Sequence, residues 1–331
     1  MSKLTRYAMT SQTLSLAAME EASRRGLREA DLADLFLALV LNDQPAGQVL
    51  RDQGITIESA RAAVEGYQKE QIASLGIAVD MPPPGSIVFH RTAGYEWSRR
   101  ASDLPGRAAG KGRTGDAAAV LSELLGEPSG LLAELLPRVG TTPAALSAQL
   151  EHANPWRTPK LRAKTRRQGE FSGSTGAFAP APVEDVWALL TDPRRVTDWD
   201  TSIGSVEVID TTVLPGMTWP AHAQLTRPDG KPLKVSENYQ RRMIELEELQ
   251  HPGRVAWQVS YPDARFSRPV VTAFELVPAE GGTQLTITMT WSRRPGWRSI
   301  VSIALAPLQR FLIWMRLSQI SSAVSRAFRQ S

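Results

Sequence analysis

The chain has no cysteine among its 331 residues. That absence removes disulfides, thiol nucleophiles and thiolate metal ligands together, and it suits a reducing compartment, so a cytoplasmic protein is expected. Histidine is nearly as scarce. His90, His152, His222 and His251 are the only four, and no two stand at the spacing of a His-x-x-x-His or His-x-Glu pair. No metal site and no cofactor are therefore expected. Long apolar runs are missing too. The opening MSKLTRYAMTSQ lacks the apolar core of a signal peptide. The best membrane candidate, SIVSIALAPLQRFLIWM, is interrupted by Pro307 and Arg310, and it falls short of the roughly 20 apolar residues that span a bilayer. No transmembrane segment is expected, which leaves surface contact by a basic amphipathic helix as the membrane reading.

Charge is unevenly placed. Residues 1–153 carry 15 Lys and Arg against 18 Asp and Glu, residues 154–170 carry 6 against 1, and residues 171–331 carry 17 against 15. The net +4 thus comes from a short stretch, NPWRTPKLRAKTRRQGE, and not from a basic domain face, so no nucleic-acid partner is expected. Two prolines and no apolar periodicity make that stretch a solvated spacer. It divides the chain into a domain at 1–153, a linker at 154–168 and a domain at 169–331.

One motif invites a nucleotide reading. In LPGRAAGKGRTGD, three residues rather than four lie between Gly106 and Gly110, and Gly112 stands where a phosphate loop needs a hydroxyl. The preceding RTAGYEWSRRASD is polar and reads as helix, not as a buried strand. No nucleotide partner is expected, and the stretch reads as a turn between helices.

From Thr10 to Val64 the apolar residues recur at helical spacing, broken at Gly26, at Pro45 with Gly47, and at Gly54. This predicts four short helices. A second pass from about Arg91 repeats the order, with Pro128 and Gly130 echoing Pro45 and Gly47 and Thr141 echoing Thr56. Internal duplication predicts two stacked all-α units. The run ADLFLALVLNDQPAGQVLRDQGI resembles the N-terminal repeat domain of the Clp ATPases. That resemblance implies a module that docks peptides or Clp-machinery partners, here without the ATPase motor. Leu14, Leu35, Phe36 and Leu39 are the candidate docking residues.

After Gly169 the pattern turns to alternation. PVEDVWALLTDPRRVTDWD predicts two short helices, with Pro182, Glu184 and Asp185 suited to a helix start. Strands are expected at Ser205–Thr211, Met217–Thr226, Lys234–Arg242, Arg254–Tyr261, Phe266–Pro278 and Thr283–Arg293. RVAWQVSY and TQLTITMTW each show one wet and one dry face. PDG, HPG and EGG supply turns at Pro228–Gly230, His251–Gly253 and Glu280–Gly282. A last helix over Trp297–Ser331 is expected to bury Ile300, Ala304, Leu308, Phe311, Met315, Ala323 and Ala327, with a kink at Pro307. The two short helices, the antiparallel meander and the terminal helix resemble the START-like SRPBCC superfamily, which includes polyketide cyclases. The resemblance implies an α+β helix-grip fold holding an apolar molecule or lipid. Trp219, Tyr239, Trp257, Phe274, Met289, Trp291, Phe311 and Met315 are the candidate cavity residues.

Two functions follow from these readings. One is a non-enzymatic binding protein that couples partner docking to an apolar ligand, as an adaptor, decoy or sensor in regulated proteolysis. The alternative is a cyclase or aromatase in which Glu237 and Tyr239, on one strand face with Val235 and Arg241, transfer protons once desolvation raises the carboxyl. His222 falls out of phase with Trp219, Ala221 and Ala223 and reads as a surface residue.

Overall fold

The computed structural model describes residues 3–77, 84–91, 94–152, 170–208, 213–292 and 306–330. It separates into two units, residues 1–157 with 329–331 and residues 158–328. The basic spacer at 154–168 lies outside the described residues, as does the first part of the expected terminal helix, 297–305.

The helical unit runs in two passes of four helices: α1 (Lys3–Arg24), α2 (Leu32–Val40), α3 (Pro45–Asp52) and α4 (Ile57–Ser74), then α5 (Arg99–Ala108), α6 (Ala117–Leu125), α7 (Leu131–Arg138) and α8 (Pro143–His152). Two two-residue strands, β1 (Glu29–Ala30) and β2 (Glu96–Trp97), pair in parallel between the passes. LADLFLALV is apolar on nearly every side, and α2 is accordingly buried along its whole length. Thr56 caps α4 reciprocally with Ser59, each side chain accepting from the other's backbone N–H at 3.0–3.2 Å. A buried Arg61–Glu21 pair at 2.9 Å ties α4 to α1. Arg51 donates to the carbonyls of Val40 and Asn42 at 2.6 and 2.9 Å, closing the turn before α3. Burial pushes its guanidinium down to about 10, so it remains charged at neutral pH.

Three expectations change here. Pro45 begins α3 and Gly47 lies inside it, where a Cβ would meet the Asn42 carbonyl at 2.0 Å. Gly130 instead precedes α7 in a left-handed conformation, φ 69°. The echoed Pro-x-Gly therefore does different work in each pass, one a close approach and one a turn. Leu14, Leu35, Phe36 and Leu39 are at most 1% exposed. They are the core of the unit and present nothing to a peptide, because the same apolar stripe that suggested docking is consumed by helix packing. Leu104–Ala108 belong to α5, so the apparent phosphate loop is confined to 109–116, a turn with positive φ at Gly112 and Gly115.

The second unit is a seven-stranded antiparallel sheet in the order β3-β9-β8-β7-β6-β5-β4. The strands are β3 (Glu170–Ala179), β4 (Ile203–Val206), β5 (Thr218–Ala223), β6 (Arg241–Gln250), β7 (Arg254–Ser260), β8 (Val270–Ala279) and β9 (Gly282–Ser292). Helices α9 (Val183–Thr191) and α10 (Val196–Trp199) follow β3, and α11 (Ala306–Ala327) closes the unit against β3, β9 and α10. Leu285, Ile287 and Met289 of β9 and Val255, Trp257 and Val259 of β7 are buried, as their alternation predicts. Trp257 donates its indole N–H to the Leu190 carbonyl at 2.8 Å and packs on Trp219 at 5.7 Å, which fixes α9 to the sheet's dry face.

The strand expected at Lys234–Arg242 is misplaced. Glu237–Tyr239 form a short 3-10 turn, and the strand is Arg241–Gln250, RRMIELEELQ. Arg241, Glu245 and Glu247 fill the wet phase and, with Arg242 in the dry one, disguise Ile244 and Leu246. The terminal helix is also rotated from its expected face. Its buried stripe is Ile313, Leu317, Ile320, Ala323 and Val324, a 4-3-3-1 spacing, while Phe311 and Met315 are 53% and 39% exposed. Pro307 is the second residue of α11, and the residues ahead of it, where the expected kink would show, lie outside the described residues. Gly173 on β3 allows α11 to come close, since a Cβ there would lie 2.5 Å from Ile313 Cγ2.

Candidate functional site

Among the described residues, the second unit gathers its buried charge at one place, where α10, the start of β4, β6, the end of β7 and α11 meet. Asp200 ends α10, and the turn after it folds back so that Asp200 Oδ1 accepts from the Ser202 N–H at 3.0 Å and the Ser202 hydroxyl at 2.7 Å. Arg316 lies beside Leu317 of the buried stripe, and its Nη2 donates to Asp200 Oδ2 at 2.9 Å and to Ser202 Oγ at 3.0 Å. Arg242 occupies the dry phase of β6 with Ile244 and Leu246, is 7% exposed, and donates Nη1 to Ser202 Oγ at 2.7 Å. Its guanidinium lies 5.5 Å from the centre of the Tyr261 ring, and Tyr239 meets Tyr261 edge to face at 5.3 Å.

The electrostatics follow from this geometry. Burial alone would raise the Asp200 carboxyl, but Arg316, the two Ser202 hydrogen bonds and Arg242 outweigh it and hold the group below the usual carboxylate range. The Asp200 charge raises Arg316 further. Arg242 is lowered by burial, with the neighbouring Arg316 adding to that effect. Among the described residues, the buried Nε of Arg316 and the indole Nε1 of Trp199, a residue 1% exposed, find no hydrogen-bond partner. Buried polar groups are ordinarily paired, so two orphaned donors on adjoining elements mark an unusual place in the core.

The residues expected to form a cavity divide. Trp219, Trp257, Phe274 and Met289 are buried in one apolar cluster, against which Trp291 packs from a half-buried position. Phe311 and Met315 face outward on α11, and Tyr239 is 42% exposed. Glu237 is exposed on the same turn as Tyr239. The two therefore do not share a strand face over an apolar cavity. His222 is exposed and bonded to Glu207 at 3.1 Å, on the wet face as its phase predicts. No group of His, Asp and Glu suited to a metal ion occurs among the described residues. The Asp200, Ser202, Arg242, Tyr261 and Arg316 cluster was not foreseen. Its one sequence signal is Arg242 alternating in phase with Ile244 and Leu246, a charged residue on a dry strand face.

A seven-stranded antiparallel sheet with two short helices after its first strand and one long helix at its end defines a helix-grip domain. Residues 172–311 match the family described as polyketide cyclase / dehydrase and lipid transport; the match does not extend into the helical unit. Similar solved structures include protein Ms6760 from Mycobacterium smegmatis, 21% identical over 48% of this chain and 88% of that one, with a TM-score of 0.33. Protein CV1439 from Chromobacterium violaceum is 18% identical over 46% of this chain and 96% of its own, with a TM-score of 0.32. A protein from Arthrobacter aurescens is 21% identical over 46% and 86%, with a TM-score of 0.33. No curated protein matches the chain.

Proposed function

We propose that residues 169–331 form a binding domain for an apolar small molecule or lipid, and that residues 1–153 form a Clp-like docking module that brings this domain to a peptide or Clp-machinery partner. The observation that carries the ligand reading is the helix-grip sheet itself, in the region matched by the cyclase and lipid-transport family. Such pockets are apolar and aromatic with a few placed polar groups, and here the apolar cluster includes Trp199, which directly precedes Asp200 of one compact charged cluster. A binding role, as against catalysis by Glu237 and Tyr239, is supported by the exposure of both side chains on a turn. The docking half rests on the sequence resemblance and on the two passes of four helices. In that reading the protein is an adaptor, decoy or sensor for regulated proteolysis in the cytoplasm. No helix among the described residues is long and apolar enough to cross a membrane.

Native mass spectrometry of freshly purified full-length protein is expected to show a retained molecule of lipid-like mass. Protein of bare chain mass that also fails to take up the neutral probe phenylnaphthylamine overturns the ligand reading. A pull-down with the full chain that recovers neither peptide nor Clp-machinery protein overturns the docking half.

A further inference from the structure

The charged cluster has more to say about what is bound, on the footing that the domain binds an apolar molecule. Its acceptors are already committed. Asp200 Oδ1 takes the Ser202 N–H and hydroxyl, Asp200 Oδ2 takes Arg316, and Ser202 Oγ receives both Arg242 and Arg316 while giving its own proton to Asp200. What remains unsatisfied here among the described residues is donors, Arg316 Nε and, on the residue before Asp200, Trp199 Nε1. The charges are equally one-sided. Among the described residues, two guanidiniums face one carboxylate, Asp200. A buried cation without its counter-charge is costly, and Arg242 is 7% exposed.

We propose that this cluster seats an oxyanion carried by the ligand, so that the bound molecule is an amphipathic acid: an apolar body with one carboxylate or equivalent anionic head. The head completes the charge balance of Arg242 and Arg316 and accepts from the two donors that the protein leaves open. Arginine suits this role because its planar fork meets an oxyanion at two points. Tyr261, against Arg242, and Tyr239, edge to face with Tyr261, offer aromatic surface to the part of the body next to the head.

The test compares two probes that share a ring system, anilinonaphthalene sulfonate and uncharged phenylnaphthylamine, titrated by fluorescence against the full chain. A charge-assisted hydrogen bond supports about a tenfold preference for the sulfonate. That preference is expected to fall to about unity in Arg316→Gln and in Arg242→Gln. Arg316→Lys keeps a cation beside Asp200 and removes the Nε donor, so it is expected to lose part of the preference and serves where a neutral variant unfolds by circular dichroism. Equal affinity for the two probes, or a preference unchanged in the variants, overturns the anionic head and leaves the apolar-ligand reading standing. Binding of neither probe overturns that reading itself.

Discussion

Asp200 is where a single proton should be felt most. Its carboxyl lies below the usual range in the folded protein because Arg316, Ser202 and Arg242 prefer it charged despite its burial. A group depressed on folding stabilises the fold at pH above its unfolded value, about 3.9 for aspartate, and that contribution is lost as pH falls through the lower folded value. Thermal melts between pH 6 and 2 should therefore show a steeper acid loss for the native protein than for Asp200→Asn. At neutral pH the same substitution should cost about 1–3 kcal/mol, the range for removing a charged partner from buried donors. Parallel acid limbs for the two proteins would show that the Asp200 carboxylate is not held by its neighbours as described. Ser202 is the smaller partner in this arrangement, yet its hydroxyl is the one atom bonded to all three charges.

Between β3 and α11 the spacing is set by a missing side chain. Glycine inside a strand ordinarily weakens it, so Gly→Ala in a strand should help. At Gly173 the sign is expected to reverse, because the new Cβ meets Ile313 Cγ2 at 2.5 Å. Gly173→Ala should cost about 1–3 kcal/mol by overpacking, measured by urea unfolding, and Ile313→Ala in the same chain should recover part of that loss. Additive losses would mean that the helix does not approach the strand there. Elements of this kind were unevenly legible in the sequence. β7 and β9 announce themselves because their wet and dry residues differ cleanly, Gln284, Thr286 and Thr288 against Leu285, Ile287 and Met289. β6 hides because Glu245 and Glu247 flank Leu246 and an arginine occupies its dry phase. The stripe expected on α11 runs through Phe311 and Met315, whereas burial follows Ile313, Leu317 and Ile320. Beyond Arg242 in the dry phase of β6, the charged cluster could not be read from local pattern, since its members come from separate elements between Asp200 and Arg316 and meet only after the sheet has formed.

At the scale of the whole chain, the six basic residues from Arg157 to Arg167 stand between two units that each carry their own core. If the spacer is solvated as its composition predicts, brief trypsin treatment should cut there first and leave two resistant pieces, seen by gel and intact mass. Cleavage scattered through both units, with no such pair of pieces, would remove the two-module organisation. The second unit has a different long-range property. Its first strand pairs with its last, Glu170 opposite Ser292 and Ala179 opposite Thr283, so β3 must wait for a partner more than a hundred residues downstream. During synthesis the early residues of this unit therefore leave the ribosome with a bare strand edge and no possible neighbour, for the several seconds that translating the remainder takes at about 5–20 residues per second. Closing so long a loop is slow, and the interval before it closes is when this protein most needs a chaperone.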